Sequence, residues 1–164
     1  FLPVAHTVLH AYGSWHPDHP KGWHQHGLGM PLRPDRNLAS QRRASQRWTT
    51  ATFPLHTHDD LVALALDICR RRSWQFHAIA LTPTHIHVVY SWRTPHASIE
   101  TQHIFKRVLA WKRSNFRNAP ARRWFSDGGR PVLVHSPAHL GFLLNEYLPD
   151  QAETYFAVPH HLAW

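Results

Sequence analysis

Three His-x-His triplets stand out among the 17 histidines: His24/His26, His56/His58 and His85/His87. At this histidine frequency about two such triplets arise by accident, so a bare match says little. Only His85/His87 lies in a segment that reads as a strand. Side chains two apart on a strand point the same way, so these two imidazoles share one sheet face while Ile86 turns toward the core. Two neutral imidazoles side by side suit a divalent ion. The competing reading is a pair of exposed strand histidines, and spacing alone does not choose between them.

The elements that position this pair can be read from hydrophobic period. Residues 4–11 alternate and suit a first strand. Leu61, Leu64, Ala65 and Ile68 fall at i, i+3, i+4 and i+7, with Asp59 and Asp60 in front and Arg70, Arg71 and Arg72 behind. Acid first and base last suits the helix dipole, which predicts a helix over 58–72. Residues 74–81 and 85–92 read as strands joined by Thr82-Pro83-Thr84, a hairpin. A second helix spans 98–117, with Ile104, Phe105, Val108, Leu109 and Phe116 as its apolar stripe and Lys106, Arg107, Lys112, Arg113 and Arg117 as basic faces. Asp127-Gly128-Gly129 marks a turn before a short strand at 130–135. Ser136 and Pro137 are a good N-cap and first residue for a third helix, running through about Tyr147. The order β-α-β-β-α-β-α is an α+β, split-βαβ (ferredoxin-like) pattern, an antiparallel sheet with helices on one face.

Composition bounds the rest. The 164 residues suit a single domain spanning the chain, and 43% hydrophobic content fills a core, which excludes a disordered chain. No apolar run reaches the roughly 18 residues of a membrane helix. One Cys excludes a disulfide framework and a multi-cysteine metal site, and is compatible with a cytoplasmic location. The chain starts at Phe1 without a signal pattern, so it reads as a piece lacking its start. Residues 13–54 show no sustained period and read as a long basic loop, or one holding short elements without a visible pattern, carrying Arg33, Arg36, Arg42, Arg43 and Arg47. The net charge of +8 attracts phosphate. Trp15 and Trp23 in that loop offer stacking surfaces for unpaired bases.

Beyond spacing, Leu81 to Val89 resembles the His-hydrophobic-His hairpin of the HUH endonucleases, and more closely that of the single-tyrosine transposases. Tyr12-Gly13-Ser14-Trp15, Pro17-Asp18 and Lys21-Gly22-Trp23 are similar to the N-terminal loop of the REP-associated tyrosine transposases. Trp124 to Val134, with Gly128-Gly129, resembles the strand that follows the basic helix in that family, and Glu146 to Gln151 resembles its C-terminal helix. The resemblance implies an HUH-type fold in which Tyr147 is the nucleophile, His85, His87 and Gln151 bind Mg²⁺ or Mn²⁺, and a 5′-phosphotyrosine forms on hairpin-bearing single-stranded DNA. Lys106, Arg107, Lys112, Arg113, Trp15 and Trp23 would then touch DNA. The active site would be complete in a monomer or shared by helix exchange in a homodimer.

Residues four apart on a helix face one way, so Tyr147 and Gln151 can serve one site. Pro149 stands between them, which predicts a kink or stop near Leu148. If the helix stops, Gln151 loses that alignment and Asp150 is the next oxygen donor. Tyr155, Tyr90 and Tyr12 are the other tyrosines to weigh, Tyr155 first. Two further classes stay open: an inactive transposase-derived module that binds hairpin DNA or RNA, and a His-rich metal-binding protein acting through residues 16–26.

Overall fold

The computed structural model describes residues 2–23, 25, 30–93, 95–115 and 122–158. The described chain runs β1 (Val4–His10), α1 (Arg36–Ala44), α2 (His58–Arg71), β2 (Gln75–Leu81), β3 (His85–Ser91), α3 (Ser98–Asn115), β4 (Val132–Val134), α4 (Pro137–Phe142), α5 (Leu148–Gln151) and β5 (Thr154–Ala157). The helix expected over 58–72, the hairpin, the basic helix and the Ser136-Pro137 helix start are all present. Phe116 and Arg117 lie outside the described residues.

The sheet order is β4-β1-β3-β2-β5, with every pairing antiparallel. β1 and β3 pair along their whole length, from Val4↔Ser91 to His10↔His85. The expected α+β antiparallel sheet is therefore observed, and its first four strands have the split-βαβ order. One part of the expectation needs correction: the helices cover both faces. Ala5, Leu9, Ile79, Ile86, Val88 and Tyr90 pack with Leu61, Ala65 and Ile68 of α2 and Ile104, Phe105 and Leu109 of α3. On the opposite face Val4, Ala78, Ala80, Val89 and Val134 pack with Leu140, Leu143, Leu144 and Leu148. Each buried Val, Leu, Ile or Phe side chain among these contributes about 1.5–3 kcal/mol, and each alanine methyl less. The sheet has two apolar faces, so the C-terminal helix covers the one that α2 and α3 leave.

Two elements were not expected. α1 lies inside the stretch read as loop. Asp35 accepts a hydrogen bond from Leu38 N at 2.9 Å to cap it, and only Ala39 is buried, so it has no apolar stripe to betray it. Arg43 then donates to both carboxylate oxygens of Asp18, tying α1 to the preceding loop. β5 is a short edge strand on β2. It holds Tyr155, which a continuing helix would have put on the Tyr147 face.

Candidate functional site

The face covered by α4 and α5 carries histidines from two neighbouring strands. Because paired residues share a face, His6 and His10 of β1 project with His85 and His87 of β3. His6 Nε2 and His87 Nδ1 are 3.1 Å apart, so one ring donates to the other. The two rings lie nearly parallel, side by side, with centroids 5.3 Å apart, and His10 meets His85 edge-on at 4.5 Å. His85 Nδ1 lies 2.7 Å from Thr84 Oγ1. The hairpin turn fixes this end: Thr82 Oγ1 accepts from His85 N at 2.9 Å, and Thr82 N donates to His85 O.

Burial sets the charge of the cluster. It pushes His87 down to about 3, with repulsion from His6, His85 and His10 adding to it. Burial also lowers His6 to about 4, helped by His139, and His10 to about 4, helped by His85, Lys106 and His19. His85 is lowered by burial and then by His19. The rings are thus neutral at neutral pH, the form that ligates metals.

Tyr147 reaches this cluster from the helix above. Its ring meets His6 and His87 edge-on, with centroids 5.8 and 6.1 Å away, and Phe142 lies at 6.2 Å. The helix does not stop at Pro149. It widens into an i→i+5 turn over Leu143–Tyr147, where Leu148 N donates to Leu143 O, and resumes as α5. In that pattern the carbonyl of Leu144 would pair with residue 149, and proline has no N–H to give. The Tyr155 hydroxyl donates to it instead, at 2.6 Å. Tyr155 is thereby a brace for the turn that carries Tyr147. Tyr90 is buried between Thr7 and Thr101 hydroxyls, and Tyr12 lies against Trp48 and Arg123.

Gln151 ends α5, one turn beyond Tyr147, with its side chain exposed. Among the described residues no three His, Cys, Asp or Glu side chains are placed to hold an ion together, and no hydrogen bond joins Gln151 to the histidines. The donor chemistry of His85 and His87 fits a divalent ion, since each has one nitrogen engaged and the other left for a ligand bond. Of the other triplets, His24/His26 lies outside the described residues. His58 is a core histidine, 1% exposed and bonded to Thr154 Oγ1 and Phe53 O.

The residues expected to touch DNA divide. Trp15 stacks on His19 at 3.7 Å and meets His10 edge-on at 5.5 Å, at the rim of the histidine cluster. Trp23 is a packing residue: it is buried, Nε1 donates to Arg33 O, and the Arg42 guanidinium covers the ring at 4.8 Å. Lys106 Nζ donates to Ser126 O at 2.9 Å and Gly128 O at 2.7 Å, so its charge holds the loop before β4. There Gly128 and Gly129 both take φ +77°, which a side chain would strain. Arg113 is half-buried over Trp124, while Arg107 and Lys112 are exposed. All four basic residues sit on α3, across the sheet from Tyr147. Sequence reasoning missed His6 and His10. Their signal was present, since they stand four apart on an alternating strand, but only the β1–β3 pairing shows what they face.

No family model matches the chain, and no curated protein matches it. A solved structure of a candidate transposase from Deinococcus radiodurans is similar over 94% of this chain and 94% of that one, with a TM-score of 0.49 and 11% sequence identity. At that level the likeness carries no argument, and the functional reading rests on the site. No helix among the described residues is long and apolar enough to cross a membrane.

Proposed function

We propose that the protein is a metal-dependent, single-stranded DNA endonuclease and strand transferase of the single-tyrosine type, a transposase acting on hairpin-bearing DNA in the cytoplasm. The observation that supports this reading is the meeting of Tyr147 with His87 and His6, brought from a helix and two strands onto one sheet face. In the reaction, Tyr147 Oη attacks a scissile phosphodiester. An O–P bond forms to the tyrosine, the bond to the 3′-oxygen breaks, the phenolic proton leaves to solvent, and the 3′-oxygen gains a proton. A 5′-phosphotyrosine results, and attack by another strand's 3′-hydroxyl reverses the step to join new ends. Bond energy is kept in the covalent link, so no nucleotide hydrolysis is needed. Mg²⁺ or Mn²⁺ held by His85 and His87, with Gln151 as third ligand, would polarise the scissile phosphate. Tyr147 meets His6 and His87 within one chain, so this site needs no helix exchange to bring them together. Trp15 at the rim would stack an unpaired base, and Arg107 and Lys112 would neutralise backbone that passes round to the α3 face.

The test is a labelled panel of single-stranded hairpins incubated with Mn²⁺ and run on a denaturing protein gel. A labelled protein band lost in Tyr147→Phe and in the His85→Ala, His87→Ala double variant is expected. A band that survives Tyr147→Phe overturns the assignment of the nucleophile. Hairpin binding without any band favours a module that holds DNA and does not cut it.

A further inference from the structure

A neutral imidazole has one N–H and one lone pair, so what its Nδ1 does decides what its Nε2 offers. Both histidines of the β3 pair have Nδ1 engaged by a neighbour that is not itself a metal donor in the site proposed above. For His87 the neighbour is His6 Nε2 at 3.1 Å, and for His85 it is Thr84 Oγ1 at 2.7 Å. The two partners come from different places in the chain. His6 stands on β1 opposite Val89, two residues along from the Val8↔His87 pair and on the same face, and is 7% exposed, so the sheet register fixes where its ring can go. Thr84 precedes His85 at the hairpin corner, where its N donates to Thr82 Oγ1.

Only one proton arrangement leaves both rings able to ligate. If His87 Nδ1–H donates to His6, Nε2 of His87 keeps its lone pair. If His6 donates instead, Nε2 of His87 carries the proton and cannot bind a cation. The same choice holds at Thr84, whose hydroxyl oxygen can accept. We propose that His6 and Thr84 are positioning residues that accept Nδ1–H from His87 and His85, so that both rings present Nε2 lone pairs toward a divalent cation. The proposal rests on the metal-dependent reading of the site. The His6 ring also meets the Tyr147 ring edge-on, so the same side chain touches both the histidine pair and the tyrosine.

The experiment has two readouts. In metal-free protein at about pH 8, long-range ¹H–¹⁵N correlation of imidazole nitrogens reports the tautomers. His85 and His87 are expected as Nδ1–H, His6→Leu is expected to release only His87, and Thr84→Val only His85. Titration with Mn²⁺ alone then reads affinity. His6→Leu and Thr84→Val should each weaken binding by about 10–100-fold, the usual effect of losing an outer-shell partner. His6→Gln, which puts an acceptor oxygen near the place of Nε2, and Thr84→Ser should restore most of it, which a merely structural loss would not allow. An Nε2–H tautomer of His87 in the wild type overturns the proposal. So does unchanged Mn²⁺ affinity in His6→Leu when the His85→Ala, His87→Ala variant has lost it. Expected tautomers in a wild type that takes up no Mn²⁺ would uphold the orientation and overturn the metal-dependent reading instead.

Discussion

Acid should unfold the metal-free protein through the histidine cluster. His6 and His87 are 7% and 6% exposed and lie against each other, and His10 lies against His85. Folded His6 and His10 are lowered to about 4 and His87 to about 3, against 6.5 in an unfolded chain. A lowered value means the unfolded chain binds more protons below 6.5, so the stability these rings allow is present above 6.5 and lost as pH falls. By about pH 5 each of His6 and His10 costs about 2 kcal/mol. Repulsion between His6 and His87 belongs to both and is counted once, which leaves the three together on the order of 5 kcal/mol. That is a third or more of a typical domain's stability of about 5–15 kcal/mol. Urea melts with a chelator at about pH 8, 6 and 5 measure it, with intrinsic tryptophan fluorescence as the signal. His6→Gln should flatten the slope by up to about 1.4 kcal/mol per pH unit, one proton's worth. A wild-type loss below about 1 kcal/mol between pH 8 and 5 would refute the burial argument, because it would mean that these rings protonate in place.

Four smaller perturbations test other parts of the structure. Tyr155→Phe leaves the Leu144 carbonyl without its donor and should cost about 1–2 kcal/mol in a urea melt; an unchanged midpoint would show that the wide turn holds Tyr147 without the brace. Lys106→Met removes both carbonyl bonds and should cost about 1–3 kcal/mol. Lys112→Gln should stay within about 0.5 kcal/mol in stability while lowering the salt dependence of DNA binding by about one phosphate contact. Cys69 is 1% exposed and burial pushes its thiol up to about 12, so a thiol reagent at about pH 8 should label it only at the rate of unfolding.

The sequence by itself determined the elements that declare themselves locally. The acid-first, base-last helix α2, the apolar stripe of α3, the Thr82–Thr84 hairpin and the Ser136-Pro137 cap each arise from residues a few positions apart, and each is where the local pattern puts it. The alternation at 85–87 likewise fixed that His85 and His87 share a face. Three things were hidden because their causes are not local. α1 has no apolar stripe and is held by a cap and by Asp18, and β5 exists only because β2 offers it an edge. Pro149 looks like a helix end until Tyr155, from the next strand, supplies the missing donor. The basic residues of α3 read as one DNA-binding set, but contacts made by the fold turn Lys106 inward and place the helix across the sheet from Tyr147. The site itself belongs to tertiary structure. A strand carries its side-chain alternation in its own residues, whereas which strand lies beside it, and which helix crosses above, is chosen by burial over the whole chain. That choice sets His6 against His87 across 81 residues of sequence and lowers Tyr147 onto both.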